Sequence, residues 1–236
     1  CKSARDVIEL LALTRDHAGD TVTSFEIIPA NAIDMVRSEM PNVRDPNPSE
    51  LRWRVLCEIS MARESHARDV METALQAAFE AGLAEDALIA ETLTQAQSFW
   101  TIRESIPLSK RAYGTAINHD VAVPVSQIPA FLEVTEKAIL DLSPNAEIIA
   151  FGHVGDGNLH YSACEPSDAI TRVLSNQAAR ITEIVHTQAM ASGGAIPAEL
   201  GLGHLKRHQF EALTPSAATA TMQAIHHALT PHRYMY

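Results

Sequence analysis

The hydrophobic positions divide the chain into alternating helical and extended stretches. Val7, Leu10, Leu11 and Thr14 recur at helical spacing and predict a helix over 3–18, ending near Ala18-Gly19-Asp20. A strand is expected at about 22–28, then a short helix with Ile33, Val36 and Met40 inward. Residues 41–50 hold three prolines and read as a long loop. Beyond it Leu51, Trp53, Val55, Cys57, Ile59 and Met61 alternate with mostly polar neighbours, the pattern of a strand with one apolar face. Val70, Ala74, Leu75, Ala78 and Phe79 predict a helix closed by Gly82. A short strand at 86–91 and a helix at about 93–106, disturbed near its end by Pro107, follow.

A second set opens on a strand around 120–125, where Pro124 marks an edge position or a strand end. Ile128, Phe131, Leu132, Thr135, Ile139 and Leu142 share one face of a helix over 128–142. Two short apolar runs, Ile148–Phe151 and Leu159–Ala163, precede a long helix over 168–190, a glycine-rich loop from Gly193 to Gly203, and a final helical region to about 229. The order β-α-β-α-β-α, then β-α-β-β-α, hints at two related halves. Order alone would suggest parallel βαβ units. The half-polar strand at 51–61 instead favours an α+β fold, with a largely antiparallel sheet and helices on one side.

The stretch with chemical promise is Phe151-Gly152-His153-Val154-Gly155-Asp156-Gly157-Asn158-Leu159-His160. On a helix its two histidines would stand about 10 Å apart along the axis. On one straight strand they would be roughly 23 Å apart and on opposite faces. Only a hairpin brings them together. A turn over Gly155–Asn158 pairs Val154 with Leu159 and sets His153 opposite His160, with Cβ atoms about 5 Å apart. Glycine, aspartate and asparagine suit the positive φ of such a turn. Spacing alone leaves two readings open: a metal-binding pair, or an ordinary turn with two surface histidines.

Composition narrows the class. A chain of 236 residues with 46% hydrophobic positions suits one large domain or two small ones with a real core. A net charge of -11 argues against a nucleic-acid partner or an anionic membrane surface, and no apolar run is long enough for an integral membrane segment. Cys1, Cys57 and Cys164 are too few and scattered for a disulfide framework, which points to the cytoplasm or another reducing compartment. The chain opens on Cys1 rather than Met, so it is expected to be part of something longer.

Four stretches carry a family resemblance: Trp100-Thr101-Ile102-Arg103-Glu104, His119-Asp120-Val121-Ala122-Val123-Pro124-Val125, Gly152 to His160, and Gly193 to Gly203 with Lys206 after it. In this order they resemble the carboxy-terminal half of flavin-linked 2-hydroxyacid dehydrogenases. These form the glycolate oxidase, D-lactate and D-2-hydroxyglutarate dehydrogenase group of the vanillyl-alcohol-oxidase superfamily. The third stretch matches the family's Gly-His-x-Gly-Asp-Gly-Asn-x-His closely.

The resemblance implies a substrate-side cap domain over 1–236 with an antiparallel sheet of duplicated ferredoxin-like halves. The FAD-binding domain would precede Cys1 and is absent from this chain. It implies a divalent metal, zinc by preference, on His153, His160 and Glu199, and a small 2-hydroxy acid as substrate, with the electron acceptor left open. It also implies that Arg103 binds a substrate carboxylate; the bland alternative is a surface arginine paired with Glu104. Asn158 stabilises the turn or contacts the flavin. Two departures matter. Leu200 stands where the family has the histidine that is its usual general base, so His204 and, after it, His119 are the candidate bases. Asn118 stands where a lysine often binds substrate carboxylate. A metal-binding or partner-binding module without its own flavin turnover is therefore the competing class. A zinc hydrolase is weaker still, because no His-Glu-x-x-His motif accompanies the ligands.

Overall fold

In the computed structural model the described residues are 1–169, 174–199 and 214–230. Helix α1 (Ala4–Ala18) starts on a capping box, with the Ser3 hydroxyl accepting from Asp6 N and the Asp6 carboxylate accepting from Ser3 N. Strand β1 (Val22–Pro29) runs straight into α2 (Ala30–Glu39), with Pro29 at the cap. Strand β2 (Trp53–Ile59) is followed by α3 (Glu64–Glu80) and α4 (Leu93–Tyr113). Then come β3 (Gly114–Ala122), α5 (Ile128–Leu142), β4 (Glu147–His153), β5 (Asn158–Pro166) and α6 (Ala178–Ala191). All strand neighbours are antiparallel, in the spatial order β2-β1-β4-β5-β3. The fold is α+β, as the half-polar strand suggested.

Helices cover both faces of the sheet, not one. On the first face α2 and α4 bury Ile33, Val36, Ile102 and Ile106 against Ile28, Ile149, Phe151 and Cys164. On the second, Phe131 of α5 packs edge-on to Tyr161, and Thr182 of α6 meets His119. The reason is visible in β1 and β5, which are buried on both faces: Phe25 and Ile27 alternate with Glu26 and Ile28, and Tyr161 and Ala163 with Ser162 and Cys164.

Helix α6 starts at Ala178 rather than at 168, and β3 ends at Ala122 rather than reaching 125. Two further local expectations change. The segment 86–91 forms no strand; Leu88 is half exposed, so it offers no apolar row to hold a ladder. Helix α4 continues through Pro107 for six more residues. The missing N–H and ring clash cost about 3 kcal/mol. The buried stripe of Ile102, Ile106, Ser109 and Lys110 on the packed side of the helix offsets that cost.

The chain divides into two compact units, Cys1–Ala198 and Glu199–Tyr236. In the second, helix α7 (Ser216–Leu229) carries no buried residue among those described. No described helix is long and apolar enough to cross a membrane.

Candidate functional site: a histidine pair on a polar sheet face

The β4–β5 hairpin forms, but two residues out of the expected register. His160 lies opposite Phe151, and the turn is Val154–Gly157. His153 instead pairs with Glu26 of β1, and Val154 N donates to Phe25 O, so the end of β4 is held by its other neighbour. A shift of two preserves the side-chain alternation. Both imidazoles therefore stay on one face as diagonal neighbours, with ring centroids 6.2 Å apart and planes at 73°. Two glycines permit the close chain approach. A Cβ on Gly152 (φ 150°) would lie 2.5 Å from Asn158 O, and one on Gly157 (φ 84°) 2.1 Å from Val123 O. The Asp156 carboxylate accepts from Asn158 N at 3.0 Å and closes the turn.

Behind the histidines lies an acid that the motifs did not single out. Glu26 is fully buried, and its carboxylate accepts from Arg103 Nε at 2.6 Å through one oxygen. Its other oxygen pairs with His153 Nδ1. A carboxylate on Nδ1 leaves Nε2 as the nitrogen available to a ligand. Arg103 is thus not a surface arginine paired with Glu104: its side chain is 11% exposed, and its guanidinium lies 4.6 Å from the Phe151 ring centroid. His160 also packs on Phe151, at 5.1 Å between ring centroids, and its Nδ1 lies 3.9 Å from Asp120 Oδ1.

Two turns along α4 from Arg103, Lys110 reaches the same face. Its Nζ donates to Asn118 Oδ1 at 2.8 Å and to Ser162 Oγ at 2.7 Å, and lies 5.2 Å from the Phe151 centroid. Burial lowers its pKa from the ordinary lysine value; nearby Arg103 adds to that, while Cys164 opposes it. Burial also pushes the Cys164 thiol up to about 12.

The other anticipated residues are placed as follows. Asn118, on edge strand β3, is exposed on the histidine face. His119 is not brought to the site. Strand alternation turns it to the opposite face, where it is 4% exposed and contacts Tyr161 O and Thr182 Oγ1, each at 3.1 Å. Its candidacy as a base fails on that geometry. Asn158 is buried at the start of β5, and its Oδ1 meets no hydrogen-bond donor among the described residues. The segment before Glu199 covers the free edge of β3. Ala122 and Ala195 exchange backbone hydrogen bonds at 2.9 Å, and Ala198 N donates to Asp120 O at 3.3 Å. Glu199, which is exposed, follows directly. Leu200, His204 and Lys206 lie outside the described residues. A cavity of about 790 Å³ bordered by Phe25, Trp53, Cys57, Met71 and Trp100 has no lining from His153, His160 or Lys110.

Sequence reasoning missed Glu26 and Lys110. Each left a signal: Glu26 is a lone acid inside the apolar run Phe25-Glu26-Ile27-Ile28, and Lys110 follows Arg103 by seven positions, on the same helical face.

With this geometry in hand, residues 1–235 match the family described as FAD linked oxidases, C-terminal domain. The chain belongs to that family. It is 30% identical over 233 residues to a mitochondrial D-2-hydroxyglutarate dehydrogenase of Arabidopsis thaliana, covering 98% of this chain and 40% of the relative. A D-2-hydroxyglutarate dehydrogenase of Xanthomonas citri pv. viticola is 32% identical over 168 residues, 70% of this chain and 35% of its own length. A D-lactate dehydrogenase of Anaerostipes hadrus is 33% identical over 144 residues, 61% of this chain and 30% of its own. The chain therefore spans less than half the length of these relatives.

Proposed function

We propose that this chain is the substrate- and metal-binding half of an FAD-dependent dehydrogenase that oxidises a small 2-hydroxy acid to the 2-oxo acid. The observation that carries the reading is the convergence of His153 and His160 on one sheet face, with the Glu26 carboxylate against Nδ1 of His153. Relatives named for D-2-hydroxyglutarate and D-lactate support the substrate class.

The metal ligands in this reading are His153 and His160 of the hairpin and, as the family resemblance implies, Glu199. Two imidazoles and a carboxylate suit zinc and leave coordination positions open. When bound, the ion supplies Lewis acidity and the FAD, held mainly outside this chain, supplies the two-electron acceptor. The residues of this chain do the rest. Arg103 spends one N–H on Glu26 and keeps further donors for a substrate carboxylate. Asn118, exposed on the histidine face, offers a neutral amide as a second substrate contact, and the buried Asn158 oxygen is the contact proposed for the flavin side. His204 is the remaining candidate to accept the hydroxyl proton. Three free cysteines fit a reducing compartment, in the cytoplasm or an organelle.

The test uses the full-length protein. Anaerobic mixing with a panel of D- and L-2-hydroxy acids should bleach the flavin with at least one of them. Metal content should be about one equivalent in the wild type and in His226→Ala, and should fall in His160→Ala. Equal metal content in wild type and His160→Ala would remove the site. A bound metal with no flavin reduction by any 2-hydroxy acid would favour a metal- or partner-binding module instead.

A further inference from the structure

The outer edge of β2 already carries the first pair of a further ladder. In an antiparallel ladder the backbone groups of successive residues point alternately to the two sides. Arg52 O accepts from Ala30 N at 2.8 Å, toward β1, so Trp53, Val55 and Cys57 turn their N–H and C=O groups outward. At Trp53 both outward groups are taken by Cys1. The Cys1 amino group donates to Trp53 O at 2.9 Å, and Trp53 N donates to Cys1 O at 3.3 Å. Two reciprocal bonds between the same two residues define a hydrogen-bonded antiparallel pair. The amine therefore sits where a peptide N–H belongs, and burial lowers its pKa from the ordinary value.

Past Trp53 the same edge opens on the cavity of about 790 Å³. Val55 and Cys57 line one wall, and Leu88 and Ile89 line another. Among the described residues nothing accepts from Val55 N or Cys57 N on this side. Met71 of α3 and Trp100 of α4 also line the cavity. A slot that offers backbone groups along a strand edge and apolar side chains around it suits an extended peptide. Chain direction selects which peptide. With Cys1 opposite Trp53, the residues ahead of Cys1 continue along β2, the second opposite Val55 and the fourth opposite Cys57. Six residues at about 3.4 Å each reach Ile59. Such a strand would run parallel to β1, with β2 between them. Parallel strands need a crossover of a dozen or more residues, usually a helix, and the 15 residues of α1 stand in that place.

We propose that the six residues preceding Cys1 in the full-length protein fill this cavity as a further strand, paired antiparallel with β2 from Trp53 to Ile59. The second and fourth of them share the sheet face of Val55 and Cys57, so apolar residues are expected there. The FAD-binding portion expected ahead of Cys1 is then joined to this domain by a sheet strand rather than by a free linker. The inference is independent of the metal and of the substrate.

The test uses the full-length protein in a Cys1→Ser background, with a cysteine substituted in turn at the third, fourth and fifth residues before position 1. Directly opposed residues of such a pair have Cα atoms about 5.5 Å apart, within disulfide range. After air oxidation, peptide mapping should find the disulfide to Cys57 at least about tenfold more often from the fourth position than from the third or fifth, which point to the other face. A second measurement needs no variant: in the wild type the amides of Val55 and Cys57 should exchange hydrogen within about tenfold of Leu56, whose N–H points to β1. Equal cross-linking from all three positions, or Val55 and Cys57 exchanging more than about tenfold faster than Leu56, would overturn the strand. Protected amides without the cross-link would mean that a separate chain or molecule fills the slot, and would overturn it as well.

Discussion

Glu26→Leu is the perturbation that tests the site most directly. Glu26 is fully buried and holds Arg103 Nε at 2.6 Å with one oxygen and His153 Nδ1 with the other. Removing it strands a guanidinium whose side chain is only 11% exposed. Breaking one side of a buried ion pair costs about 3–5 kcal/mol, against about 5–15 kcal/mol for the stability of a whole domain. Replacing both charges with apolar groups is expected to restore most of the loss, because the pair itself gains little after desolvation. Urea unfolding of the full-length protein, followed by the fluorescence of Trp53 and Trp100, measures wild type, Glu26→Leu, Arg103→Met and the double variant. The double variant should be more stable than Glu26→Leu alone by about 2 kcal/mol or more. The milder Glu26→Gln should lower metal affinity about 10- to 100-fold in a chelator competition, since His153 loses the carboxylate that orients it. A Glu26→Leu protein within about 1 kcal/mol of wild type would refute the buried pair, as would full additivity in the cycle.

Two further perturbations follow from the same structure. Burial pushes the thiols of Cys57 up to about 11 and Cys164 up to about 12 from the ordinary thiol value of 9.0. Their contribution is fully present below pH 9 and is lost as pH rises through those values, because the unfolded chain ionises first. Lys110, with its lowered pKa, acts in the opposite sense below 10.5. Urea midpoints between about pH 8 and pH 11 should therefore fall less steeply in Cys57→Ala than in wild type; an unchanged slope would deny the thiol its part. At the turn, Gly157→Ala forces a Cβ to 2.1 Å from Val123 O at a φ of 84° and should cost roughly 2–4 kcal/mol. Gly155→Ala meets nothing closer than the flexible Arg15 side chain at 3.4 Å and should stay within about 1 kcal/mol of wild type. Thermal midpoints of the two variants compare them, and equal midpoints would contradict the turn geometry.

By itself the sequence determined the local elements and the family. Periodicity placed α1, α2, α5 and β2 nearly where they stand, because each has an apolar stripe that only one secondary structure can bury. The Gly-Asp-Gly-Asn core determined that His153 and His160 share a hairpin. Sequence could not set the register, because β1 as well as β5 competes for the end of β4; the backbone bond from Val154 to Phe25 decided it. It could not separate His119 from Asn118 in function, since facing depends on which side of β3 meets α6. Nor could it reveal Glu26 or Lys110 as parts of the site. A charge inside an apolar run has meaning only once its partners are known; Arg103 lies 77 residues from Glu26, and of the two Lys110 partners Ser162 lies 52 residues away. Short-range patterns report what a segment buries. Which charges are left facing one another is decided by long-range packing, where desolvation makes each unpaired group costly and each paired one specific.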